Sequence, residues 1–173
     1  MKVARAVCLV GLALGACSGD DCSEVGCVDQ AVVVIVPQTG QWQDGSYTLD
    51  VTFDDVSYSC AFEAPSDAGT QGVWQALDCT PALEVYLAPV VKCEEHQSGQ
   101  SQSQTCGPVA DAFYLQATAP GTPATLSVTL TRGEDEVLLD ESGNVAYQAA
   151  QPNGPECEPT CRQAFATYVL ELE

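Results

Sequence analysis

The side chains able to do chemistry are few and unevenly supplied. Ten cysteines, 24 acids, five bases and one histidine stand among 173 residues. His96 follows Glu94 and Glu95 in the polar run EEHQSGQSQSQT. One imidazole on such a segment supplies neither three fixed metal ligands nor an oriented base, so an exposed loop histidine is expected. Two acidic groups could offer oxygens to calcium: Asp54-Asp55, and Glu134-Asp135-Glu136 with Asp140-Glu141 near Asn144. The EF-hand spacing is absent, and turn acids on a soluble sheet protein give the same pattern. No nucleophile elbow, P-loop or dinucleotide fingerprint occurs, so the sequence points to no catalytic residue, no metal and no cofactor. A hydrolase using a carboxylate pair is the remaining enzymatic alternative, but no motif positions such a pair.

The cysteines are the richer resource. Residues 1–16, MKVARAVCLVGLALGA, place Lys2 and Arg5 before an apolar stretch that ends in small residues. That is the layout of a secretory signal, and it is too short for a membrane span of about 20 apolar residues. Leu14-Gly15-Ala16-Cys17 resembles the lipobox of bacterial lipoproteins. The resemblance implies that residues 1–16 are removed and that Cys17 carries lipid. Ser18 in the next position leans toward the outer membrane rather than the inner one. The alternative is an ordinary signal peptide, with Cys17 left for a disulfide. With Cys8 lost and Cys17 lipidated, eight cysteines remain, an even number.

An exported chain meets an oxidising compartment, where disulfides outrank redox or zinc chemistry. Cys157 and Cys161 have three residues between them, unlike a thioredoxin-type pair. Eight cysteines allow roughly a hundred pairings. Cys93 with Cys106 would close the polar run between them, and Cys60 with Cys79 would join successive strands. The terminal four leave two arrangements open. Cys22 can close on Cys27 and Cys157 on Cys161, or the ends can cross as Cys27 with Cys161 and Cys22 with Cys157. The crossed form would follow if the first and last strands run side by side in parallel, as they often do in immunoglobulin-like sandwiches.

A formal charge of −19 excludes nucleic acid as a natural partner and a basic membrane-surface patch as a means of attachment. Apolar residues make up 46% of the chain, enough for a real core. Residues 17–29 read as the lipidated cysteine and a short tether, spanning roughly 40 Å at full extension. Residues 30–173 read as one domain.

Positioning falls to strands. Ala31–Val36 (AVVVIV) is continuously apolar, while Ser46–Phe53 and Val56–Phe62 alternate around an Asp54-Asp55 turn, the pattern of a hairpin. Further strands are expected at Val73–Cys79, Leu83–Ala88, Ala112–Thr118, Ala124–Arg132, Glu136–Asp140, Val145–Ala149 and Phe165–Leu172. Glu94–Thr105 and Gln151–Thr160 are expected to be loops. The fold class is therefore all-β: a single antiparallel immunoglobulin-like β-sandwich stapled by disulfides, with a small barrel as the alternative. Trp42 and Trp74 are expected to pack over the core, as are Tyr47 and Tyr58. The loops holding Trp42, Glu94–Thr105 and Pro152–Pro159 are candidates for binding a protein or glycan partner.

The CSGDDCSEVGC start, the TGQWQDGSY segment and the closing QPNGPECEPTCRQA together resemble a family of uncharacterised lipoproteins of myxobacteria and their relatives. The resemblance covers most of the chain after the lipobox. It implies a disulfide-bonded sandwich on a cell-envelope membrane and brings no activity or catalytic residue with it. The functional expectation is a membrane-anchored envelope lipoprotein with a non-enzymatic binding or structural role; a calcium-binding envelope protein is the alternative. Intact mass of the protein extracted from native membranes checks the anchor: Cys17 should be the first residue and carry diacylglycerol, and an unmodified Cys17 refutes it.

Overall fold

A computed structural model describes residues 26–65, 73–98, 101–153 and 158–172, by backbone alone at 96–98 and 101–103. Cys8, Cys17, Cys22 and Cys157 lie outside the described residues, so the expectations placed on them do too. The described strands are β1 (Gln30–Pro37), β2 (Gly45–Phe53), β3 (Val56–Ala64), β4 (Gln75–Ala76), β5 (Cys79–Thr80) and β6 (Glu84–Ser98). They continue as β7 (Ser101–Pro120), β8 (Thr125–Arg132), β9 (Glu136–Asn144), β10 (Gln148–Ala150) and β11 (Cys161–Leu170). The fold is all-β, with two sheets in the orders β10-β11-β1-β7-β6-β4 and β5-β3-β2-β8-β9.

Alternation builds the core. Tyr47, Leu49, Val51 and Phe53 of β2 turn inward with Cys60 and Phe62 of β3 and Leu126, Val128 and Leu130 of β8. They meet Ala31, Val33 and Ile35 of β1, Val85 and Leu87 of β6 and Leu115 and Ala117 of β7 from the other sheet. The single cluster joins both sheets, so neither sheet can bury its apolar face alone. Trp42 plugs one end. Its ring stacks on Phe113 at 5.3 Å and meets Tyr47 and Phe62 edge-on, each at 5.2 Å. Its indole N–H donates to the Phe113 carbonyl at 2.9 Å, so the buried ring leaves no polar group unpaired. The Tyr47 hydroxyl donates to the Gln43 carbonyl at 2.8 Å, and burial is the main cause that pushes its pKa up.

Four expectations need correction. The fold is not purely antiparallel, because β1 and β11 run parallel from Gln30↔Gln163 to Pro37↔Leu170. These strands lie at opposite ends of the chain, so no hairpin constrains their direction. The Val73–Cys79 strand is two short pieces: β4 pairs with β6 in one sheet, and β5 pairs with β3 in the other. Glu94–Ser98 and Ser101–Thr105 are strand rather than loop. They form most of a two-stranded ribbon extending β6 and β7, with pairs running from Val91↔Pro108 to Ser98↔Ser101. A backbone ladder satisfies its own hydrogen bonds whatever its side chains, so a polar, solvated ribbon carries no hydrophobic alternation to betray it. The final strand starts earlier than expected, at Cys161, and stops at Leu170.

Three disulfides fall on this frame. Cys60–Cys79 and Cys93–Cys106 join directly opposed residues on paired strands. Cys27–Cys161 joins the ends of the chain, so the local closures of Cys27 on Cys22 and of Cys161 on Cys157 do not form. A stability comparison follows. Cys27–Cys161 spans a separation of 134 residues and anchors core strands, whereas Cys93–Cys106 spans 13 in a ribbon whose described side chains are mostly exposed. Replacing Cys27 and Cys161 by alanine should cost roughly 4–5 kcal/mol in urea unfolding followed by tryptophan fluorescence. Replacing Cys93 and Cys106 should cost less than about 2 kcal/mol, because the ribbon frays without opening the core. Equal losses would contradict this.

Candidate functional site

The residues singled out by type are mostly absorbed by structure. Asp54 adopts φ 52° in the two-residue turn between β2 and β3. Its Oδ1 accepts the backbone N–H groups of Ala124 at 2.7 Å and Thr125 at 2.9 Å, tying the turn to the start of β8. Glu136 holds Arg132 through two bonds, Nε to Oε2 at 2.7 Å and Nη2 to Oε1 at 2.8 Å. Glu134-Asp135-Glu136 lies at the end of the β8–β9 pair far from Asp54, since Arg132 faces Glu136, whereas Asn144 faces Thr125 beside Asp54. No group of three or more His, Cys, Asp or Glu among the described residues is arranged to hold a metal ion. His96 stands opposite Ser103 in the ribbon, and its side chain is outside the described set. Trp42 is in the core rather than on a recognition loop.

The informative contrast lies between the outer faces of the two sheets. The five-stranded sheet turns Thr48, Asp50 and Thr52 outward against Thr131, Thr129 and Ser127, the polar set expected of a solvated face. Thr52 and Ser57 hydroxyls meet across its first hairpin at 2.9 Å.

The six-stranded sheet does the opposite. Register places Val32 beside Phe165, Val34 beside Thr167 and Val36 beside Val169 on its outer side. Next on that face come Thr118 and Gln116, then Glu84 and Tyr86, with Tyr114 opposite Ala88. Trp74 lies just before β4 and is also outside, a correction to the expectation that it packs over the core. Period-2 geometry explains it: Leu77 is buried, so Gln75 shares its side and Trp74 and Ala76 face out.

Trp74 is 57% exposed and meets Tyr86 at 5.9 Å and Tyr114 at 6.2 Å, both edge-on. The Tyr86 hydroxyl donates to Glu84 Oε1 at 3.0 Å, and that bond is the main cause raising the Tyr86 pKa. Phe165 and Val169 are 67% and 60% exposed on the same side. Among these outward positions Glu84 is the one charged residue, in a chain holding 24 acids. The outer face is thus rich in apolar and aromatic side chains and poor in charge.

Sequence reasoning missed this face, although a signal was present. Ala31–Val36 is apolar at every position, which a one-sided strand does not require. Comparison of the chain with protein-family models, curated proteins and solved structures found no match.

The Asp54 assignment can be measured. Asp54→Ala should cost about 1 kcal/mol in urea unfolding by removing an acceptor from two backbone donors. Asp55→Ala should stay within about 0.5 kcal/mol, as for an ordinary surface change. A comparable loss at both positions would point instead to general turn propensity.

Proposed function

We propose that this chain is a lipid-anchored protein of the bacterial cell envelope, with a non-enzymatic role in binding a partner protein. The anchor is Cys17, by its lipobox-like context, and the outer membrane is the membrane that Ser18 favours. The domain is read as an immunoglobulin-like sandwich. What supports that reading is the pair of sheets sharing one core, the parallel pairing of first and last strands, and disulfides tying the strands together.

The observation that carries the binding role is the Trp74, Tyr86 and Tyr114 group on a sheet face whose one charged residue is Glu84. Charge depletion with aromatic enrichment is the composition of the centre of protein interfaces. An aromatic side chain pays little rotamer entropy on docking, so an exposed Trp flanked by two Tyr is suited to anchor a partner. Elsewhere the chain's −19 charge repels other acidic surfaces, and this face is where a neutral partner could approach closely.

A photoreactive amino acid at Thr118, on the same face, tests the proposal in living cells. It should give an adduct with another protein, and Trp74→Ala should reduce that adduct about ten-fold or more. The melting temperature of Trp74→Ala should hardly change, because the ring is exposed. Absence of a protein adduct, or a glycan as the sole captured species, would overturn the reading.

A further inference from the structure

The last strand leaves an open edge. β10 covers β11 only at Cys161, Arg162 and Gln163, and from Ala164 to Leu170 the far side of β11 has no strand partner among the described residues. Two bonds fix which backbone groups face that edge. The Arg162 N–H donates to Asp29 Oδ1 at 2.7 Å, and the Leu170 carbonyl accepts from the Gln38 N–H at 2.8 Å. Both partners lie at the ends of β1, so even-numbered residues of β11 turn their backbone groups toward β1. Phe165, Thr167 and Val169 turn theirs to the open edge.

Exposed edges invite another strand, and proteins usually blunt them with charge, proline or brevity. The remaining sheet edges follow that rule. β4 and β5 have two residues each and β10 has three, the lengths of β3 and β6 that β5 and β4 leave uncovered carry Glu63 and Pro89, Lys92 and Glu94, and β9 carries Glu136, Asp140 and Glu141. Residues 163–170, QAFATYVL, have no charge and no proline.

We propose that this edge pairs with the same edge of a second copy of the chain, antiparallel and centred on Thr167. The register follows from the open groups. Pairing Thr167 with Thr167, and Phe165 with Val169, uses every outward N–H and C=O of the three residues in both copies. A centre one residue earlier would call on Gln163, which β10 already occupies. The chosen register sets an aromatic ring against a β-branched side chain on the outer face, a favourable cross-strand pair.

Beneath the edge, a cleft of about 210 Å³ opens between the sheets, lined by Ala31, Ala164, Ala166, Tyr168, Leu126 and Val145 among others. The inward side chains of the arriving strand would lie over its mouth. Outside the strand the two copies repel each other, since each carries 24 acids against at most five bases. Association therefore strengthens as salt rises, the reverse of what a cationic partner would show. This pairing uses the edge of the sheet and stands apart from the partner proposed for its face.

The full chain in its own membranes provides the test. In the proposed register, Thr167→Cys brings two cysteines to about 5.5 Å between Cα atoms, a distance that a disulfide bridges. Mild oxidation should give a dimer linked through residue 167, with yield rising in high salt. Phe165→Cys alone should not link, whereas Phe165→Cys with Val169→Cys should. Thr167→Pro removes only an outward N–H, so it should abolish self-association in sedimentation while the fold, checked by circular dichroism, persists. Trp74→Ala should leave the Thr167→Cys link unchanged. No link through residue 167, an adduct to a different protein, or a dimer that weakens with salt would each overturn the proposal.

Discussion

The pairing of the first strand with the last is the constraint on which the rest of the structure depends. β1 lies between β11 and β7, and without it the larger sheet would fall into two unconnected pieces. Such a contact between opposite ends of the chain carries a large loop-closure cost. Several interactions offset it. Cys27 is bonded to Cys161 where the two strands begin, Asp29 holds the Arg162 N–H, and Gln38 binds the Leu170 carbonyl at the far end. Register is fixed at both ends, so each alternating face of β11 is fixed as well.

From that register follows an unequal division of the surface. The smaller sheet shows hydroxyls and carboxylates to water, as an antiparallel sheet over a core normally does. The larger sheet is apolar on both sides. Its inner side closes the core with Ala31, Val33 and Ile35, while its outer side carries valines, Phe165 and the Trp74 group. A chain with 24 acids has ample means to cover a face with charge, and this one is left almost bare.

Several of the acids do local structural work. Asp54 ties a turn to β8, Asp29 accepts from the start of β11, and Glu158 Oε2 takes the Thr160 N–H at 2.9 Å. Glu136 engages Arg132, whose guanidinium also acts on the Tyr47 phenol. These carboxylates satisfy donors that the strand ladders leave over.

Strand alternation was legible in the sequence because burial on one face imposes a period of two. Ser46–Phe53 and Val56–Phe62 announced their hairpin in that way, and the Cys60–Cys79 and Cys93–Cys106 bonds follow from neighbours along the chain. The polar ribbon was not legible, because backbone pairing needs no hydrophobic pattern. Trp74 could be placed only once Leu77 showed which side of β4 was buried. The parallel pairing of β1 and β11 was one of two options that the sequence left open, since both arrangements of the terminal cysteines suited the same spacing. Local pattern determined that this chain forms strands and which residues seek the core. Tertiary structure alone decided which strands are neighbours, because adjacency is set by packing between distant segments, and with it which apolar residues were left facing outward.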